Sequence, residues 1–277
     1  EMAKAYLLFA KIHRERNRGQ EDARRADAAI EQMVAHNPDS AEAFLIRGRY
    51  LLETNTTSSP ESERERLDRA AESLQKALEL DPNGVEALLE NAVLARRKRD
   101  YPKALEYLQR AQKIAPSDEQ IYIDQNLTSL RMNDPKMGMI HLQKGLEVLP
   151  ENKKLLRALF NAHLMAGQTD DARTVLGLIR DTDVALEFIE LFEGQLLASE
   201  GQFSLALERF VDLRPRMLAI SQSSVTEIDG YMANCYQRLR QYDNQHSVSV
   251  RLLGTAPRSA VGWQARAAAL MQMEQYD

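Results

Sequence analysis

The chain has 277 residues, 44% of them hydrophobic and 28% charged, and its 36 lysines and arginines against 41 acidic residues leave a formal charge of −5 and an isoelectric point near 5.7. This composition excludes a disordered chain, and the acidic balance disfavours a protein whose main task is gripping phosphate backbones, because such domains cluster positive charge. The single cysteine, Cys235, excludes an intrachain disulfide framework, and no run approaches the roughly 18 consecutive apolar residues that span a bilayer. The expectation is a cytoplasmic protein, with a cysteine-poor periplasmic one as the alternative.

The first residues, EMAKAYLLFAKIHRER, have an apolar centre too short and too interrupted for a signal peptide, and they begin at Glu1. The last, MQMEQYD, stop where the pattern below predicts more helix, so the chain reads as a fragment of a longer protein. Between these ends, prolines close similar segments at DPN (Pro82), APS (Pro116) and LPE (Pro150), each 34 residues from the next. A fixed period of that size signals stacked repeats. Ala104, Leu108 and Ala111 of DYPKALEYLQRAQKI recur as Gly138, Leu142 and Gly145 in the next unit. That i, i+4, i+7 spacing places them on one helical face. An earlier helix, VEALLENAVLARR, precedes DYPKALEYLQRAQKI across a short polar turn, so each unit is a helix pair.

This pattern resembles the tetratricopeptide repeat family, whose unit is a 34-residue helix-turn-helix with small residues in both helices and a proline after the second. The match is fullest over 85–116, where Leu88, Ala92, Ala104, Leu108, Ala111 and Pro116 take the large, small, small, large, small and proline positions. Gly194, Ala206 and Phe210 keep the spacing without the proline, Ala233 and Pro257 resume it, and Trp263 falls at the large aromatic position of a last unit.

Read in that register, the chain forms helix pairs over 3–38, 41–82, 85–116, 119–150, 153–184, 187–218 and 226–257, with a truncated half-unit over 260–277. The resemblance implies an all-α, right-handed superhelical α-solenoid of stacked antiparallel helix pairs, about seven units and some fifteen helices forming one array. Three departures stand out. RERNRGQEDARR lengthens the first turn. ETNTTSSPESERE adds about ten residues to the second pair and reads as an exposed loop. RPRMLAISQSSVTE adds about five between the sixth and seventh pairs, with a small kink as its expected consequence.

The small residues allow helices to approach closely, since a larger side chain at Ala92, Ala104, Gly194 or Ala206 would overpack the contact by about 1–3 kcal/mol. Phe44, Leu88, Tyr122 and Leu156 fill the spaces between pairs.

In the family the first helix of each pair lines a concave groove that takes peptides or partner helices. Carried onto this chain, the groove positions of the third to fifth pairs are Leu89, Val93, Arg96 and Arg97, then Ile123, Leu127, Leu130 and Arg131, then Arg157, Asn161, Leu164 and Met165. This apolar strip with guanidinium groups along it suits a peptide carrying apolar anchors and carboxylates, because arginine binds carboxylate bidentately. The competing reading makes these leucines ordinary packing residues and the ARRKRDY cluster a solvated helix end favoured by the macrodipole.

Two special uses of the family's groove find no match. A carboxylate clamp for chaperone tails is imitated by Arg157 and Asn161, but the next helices offer Phe192, then Glu227 and Tyr231, where it needs polar and basic groups. An asparagine ladder is absent from the recurring position that reads Ile46, Glu90, Asp124, Ala158, Phe192 and Tyr231. No phosphate loop, dinucleotide fingerprint or H-E-x-x-H occurs. His13, His36, His141, His163 and His246 are scattered without metal-ligand spacing, and Cys235 in YMANCYQRL reads as a small packing residue. NTT at Asn55 and NLT at Asn126 match a short glycosylation acceptor, the second in mid-helix.

The sequence therefore implies a protein-binding scaffold with no catalysis, cofactor or metal of its own, no nucleic-acid partner and no membrane span in this stretch. Its partner is a protein or peptide. The alternative is the recruiting repeat arm of a larger enzyme whose catalytic domain lies outside residues 1–277.

Overall fold

The structure is a computed structural model describing residues 20–53 and 60–273. Among the described residues there are fourteen α-helices and no strands: α1 Gln20–His36, α2 Ala41–Glu53, α3 Pro60–Leu80, α4 Val85–Arg97, α5 Tyr101–Ile114, α6 Glu119–Arg131, α7 Pro135–Val148, α8 Lys153–Met165, α9 Thr169–Arg180, α10 Leu186–Ser199, α11 Phe203–Leu218, α12 Gln222–Arg238, α13 Tyr242–Thr255 and α14 Ala260–Gln272. The helix expected before α1, the NTT motif and the last residues of the half-unit lie outside the described residues. The chain divides into two compact units, 1–149 holding α1–α7 and 150–277 holding α8–α14.

Within each unit, consecutive helices pack as antiparallel pairs, α2 with α3, α4 with α5 and α6 with α7 in the first, α8 with α9, α10 with α11 and α12 with α13 in the second. The small residues sit where the partners close. Ala92, Ala104, Leu108 and Ala111 have no exposed surface. A Cβ built on Gly194 would stand 2.5 Å from the ring of Phe210, and one on Gly48 2.5 Å from Leu74, so these helices approach as closely as glycine permits. Leu88, Tyr122 and Leu156 are buried as fillers between pairs, Phe44 only in part.

The turn inside each of the five pairs from α4–α5 to α12–α13 is built the same way. Arg99, Asn133, Gly167 and Gly201, spaced 34 residues apart, and then Arg240, have φ between +57° and +80°. The residue after each donates its N–H to a carbonyl five residues back, Asp100 to Ala95, Asp134 to Ser129, Gln168 to His163, Gln202 to Leu197 and Gln241 to Tyr236, at 2.8–2.9 Å. This left-handed closure satisfies carbonyls that the helix end would leave orphaned. Glycine adopts it freely at 167 and 201. The next helix is then capped, as at Asp100, whose carboxylate accepts from Lys103 N at 3.2 Å with Pro102 in the first turn. Asp134 repeats this ahead of α7, accepting from Met137 N at 3.0 Å.

The described parts of the three departures in length are largely helical, while residues 14–19 and 54–59 lie outside the described residues. α1 begins at Gln20, so EDARR of the expected turn is helical. α3 begins at Pro60, so PESERE belongs to a 21-residue helix and not to the expected exposed loop. Proline costs little in a first turn, and the residues after it are good helix formers. Around RPRMLAISQSSVTE, α11 continues through Pro215 to Leu218 and α12 starts at Gln222, giving helices of 16 and 17 residues.

A candidate groove on the first helices

The first helices of the pairs, α4 and α6 in one unit and α8, α10, α12 and α14 in the other, carry the candidate residues. In the first unit, Val93, Arg96 and Arg97 of α4 and Leu127 and Arg131 of α6 line one cavity of about 310 Å³ together with Arg99 from the turn between α4 and α5 and Tyr101 at the start of α5. Leu89 instead packs, half-buried, against the core around Leu88 and Leu108. Ile123 and Leu130 are half-buried outside that cavity.

The arginines differ in what they touch. Arg96 donates from Nη1 to Asp124 Oδ1 at 2.7 Å and to the Asp124 carbonyl at 3.2 Å, both side chains being nearly buried at 13% and 10% exposed. It ties α4 to α6. Arg49 does the same from α2 to α4, donating to Glu90 at 2.6 Å and Glu86 at 3.0 Å. Glu90 and Asp124 occupy the position examined above for an asparagine ladder, and here that position joins neighbouring pairs. Arg97, Arg99 and Arg131 are exposed, and no carboxylate among the described residues pairs with them.

In the second unit a larger cavity of about 680 Å³ opens between α8, α10, α12 and α14. Leu164 and Met165 line it, Met165 at 77% exposed, joined by Gln195, Ala198, Glu227, Gly230, Tyr231, Asn234 and Val261 among others. Arg157 and Asn161 do not line it. Arg157 donates to Glu227 Oε2 at 3.1 Å and lies 6.0 Å from the Phe192 ring centre. The other Glu227 oxygen accepts from Gln195 Nε2 at 2.8 Å, so the charge at this wall is balanced and held in place. Tyr231 is pushed up to about 12 by burial and by the nearby Glu227 charge, and its phenol is neutral.

Sequence reasoning missed Gln195, Ala198, Gly230, Asn234 and Val261. Yet Gln195 continues the 34-residue series Val93, Leu127 and Asn161, and extending it beyond the fifth pair would have found the second wall.

Cys235 is fully buried and burial pushes its thiol up to about 11, far from a thiolate at neutral pH. His163 is buried and its Nδ1 lies 2.9 Å from Gln168 Oε1. No group of three or more histidine, cysteine or acidic residues among the described residues could hold a metal ion. No described helix is long and apolar enough to cross a membrane.

The stacked helix pairs define a helical-repeat protein. A tetratricopeptide repeat profile matches residues 16–58 and 61–119, so that stretch of the chain carries tetratricopeptide repeats. No curated protein sequence matches it. Among solved structures, a tetratricopeptide repeat protein from Parabacteroides merdae is similar with a TM-score of 0.67 at 11% identity, covering 97% of this chain and 98% of that one. A Thermus thermophilus tetratricopeptide repeat protein gives 0.55 at 18% identity over 68% of this chain and 100% of its own. The Cut9–Hcn1 hetero-tetramer of the anaphase-promoting complex gives 0.59 at 13% identity, and the match takes in 87% of this chain but only 45% of that one. These likenesses establish the all-α repeat fold. Repeats of this family generally serve protein–protein interaction.

Proposed function

We propose that the chain is a non-catalytic scaffold whose first-helix faces hold an extended or helical segment of a partner protein. In the carboxy-terminal unit, apolar side chains of a partner enter the wall formed by α8, α10, α12 and α14; in the amino-terminal unit, acidic groups meet the guanidinium groups of α4 and α6.

The observation that carries this reading is Gly230. It lies inside α12 and lines the 680 Å³ cavity, and a Cβ built on it would meet only Val261 Cγ1, at an ordinary 3.6 Å. Packing therefore does not require glycine here, in contrast to Gly48 and Gly194. A helix-interior glycine costs roughly 0.5–1 kcal/mol relative to alanine, and what this one supplies is room in the groove.

Gly230→Ala is expected to raise stability by about 0.5–1 kcal/mol while leaving partner binding intact. Gly230→Phe should fill the cavity and weaken capture of an apolar-anchored partner segment at least about tenfold, which is 1.4 kcal/mol. Unfolding curves and isothermal titration on both variants check this, and undiminished binding by Gly230→Phe removes the assignment.

On the other wall, Arg97→Glu with Arg131→Glu is expected to abolish binding of acidic partner segments. Both side chains are exposed and unpaired, so the melting midpoint should move little. Retention of every specific partner by this folded double variant would show that the guanidinium groups are only a solvated helix end.

A further inference from the structure

The cavity at the ends of α4 and α6 concentrates more positive charge than a carboxylate can neutralise, and we propose that it recognises a phosphorylated side chain of a partner peptide. The inference rests on the first-helix face being a peptide-binding surface and names the ligand class of one wall.

Arg96, Arg97, Arg99 and Arg131 line the same 310 Å³ space. Arg96 is consumed by Asp124. The neighbouring cation Lys98 is consumed by Asp68, with Nζ 2.7 Å from Oδ1. Asp100 is turned to the start of α5, where it accepts from Lys103 N. Three guanidinium groups remain. The carboxy-terminal ends of α4 and α6 contribute about half a negative charge each, which leaves roughly two positive charges to be matched.

A carboxylate brings one negative charge. A phosphate monoester brings about −1.5 to −2 at neutral pH and three strong acceptor oxygens, matching three guanidinium forks that each donate in a plane. The rest of the lining fits the carbon stem beneath such a group, since Val93, Leu127 and Tyr101 supply apolar surface beside the arginines. The backbone at Arg99 is fixed by the turn. Its N–H donates to Arg96 O at 3.0 Å, and that of Asp100 to Ala95 O at 2.8 Å, holding φ at +61°. The third guanidinium is therefore carried by a closed helix end.

The test titrates the isotopically labelled 277-residue chain with the methylamides of N-acetyl-phosphoserine, N-acetyl-glutamate and N-acetyl-serine, following amide resonances of α4 to α6. At pH 7.5 the phosphoserine compound is expected to bind at least about tenfold more tightly than the glutamate compound, and the serine compound not measurably. At pH 5, below the second phosphate pKa of about 6, that advantage should shrink to about threefold or less. Arg99→Ala should lower phosphoserine affinity about tenfold at an unchanged melting midpoint, and Arg131→Lys should lower it partially, because charge without the fork is retained.

Equal affinity for phosphoserine and glutamate would overturn phosphate recognition and leave an acidic-peptide groove in place. Binding of neither, while Gly230→Phe still abolishes partner capture in the other unit, would overturn this inference and not the scaffold reading. Binding to vesicles carrying phosphorylated inositol headgroups without binding to the phosphoserine compound would overturn it in favour of a lipid surface.

Discussion

Ala104→Glu is expected to destabilise the amino-terminal unit by about 4 kcal/mol or more, a loss made of two effects. Ala104 has no exposed surface and packs with Ala92, Ala95 and Leu108 where α4 closes on α5. Any larger side chain overpacks this contact, at about 1–3 kcal/mol. The glutamate also carries a charge into a cluster of buried apolar side chains, and an unpaired buried polar group costs a further few kcal/mol even when it protonates. Repeats take their stability from their neighbours, so the damage extends beyond the single pair. Gln109→Glu on the exposed face of the same helix is the control and should change stability by less than about 0.5 kcal/mol. Urea unfolding followed by far-ultraviolet circular dichroism decides the matter. An unchanged midpoint for Ala104→Glu would mean that the packing face of α5 is misassigned.

The residues that make this prediction possible were legible in the sequence because a repeat writes its packing rules several times. Ala104, Leu108 and Ala111 recur after 34 residues, and all three are fully buried. The left-handed turn was only half legible. Gly167 and Gly201 advertise it, whereas Arg99 and Arg240 occupy the same conformation without any compositional signal. Segments rich in serine and proline misled, since PESERE reads as loop by composition but starts α3, where proline fits the first turn. Trp263 stands at a position expected to be filled by a large buried side chain, but it is 53% exposed, with its Nε1 donating to Pro257 O at 2.9 Å. Periodicity locates a position on a helix, while burial depends on what that helix packs against.

The candidate groove divides in the same way. Its first-helix positions follow from the register, but which arginine is free does not. Arg96 and Arg97 are adjacent in sequence and alike in chemistry. Only the placement of Asp124, 28 residues on, fixes one of them between two helices while the other stays exposed in the cavity. Gly230 shows the converse. The sequence contains it among many small residues, and its meaning emerges only when the space around its Cα proves open, where that around Gly194 is closed.

Asp229 carries the second large effect. Its carboxylate is fully buried and receives two guanidinium groups, Arg214 through Nε at 2.7 Å and Nη2 at 3.0 Å, and Arg251 through Nη2 at 2.6 Å. The three side chains join α11, α12 and α13, and Arg214 immediately precedes Pro215, where α11 lacks a backbone donor. Asp229→Ala is expected to cost about 3 kcal/mol, the lower end for breaking a buried ion pair. The lower end applies because Arg214 and Arg251 are 21% and 41% exposed and can turn to water once the carboxylate is gone. Asp229→Asn preserves the shape and should still lose most of this, since neutral hydrogen bonds are roughly half as strong as charge-assisted ones. Added salt should change these losses little, because a buried pair is weakly screened. By contrast, Lys103→Ala, which removes an exposed partner of Glu106, should leave the unfolding midpoint nearly unchanged, because water and salt screen such a pair. Urea unfolding of the variants orders the effects, and the triple substitution Asp229→Leu, Arg214→Met, Arg251→Met separates their causes. Recovery of most of the lost stability would show that the triad mainly fixes which helices meet, whereas a loss as deep as that of Asp229→Ala would show that the ion pairs themselves hold the unit together.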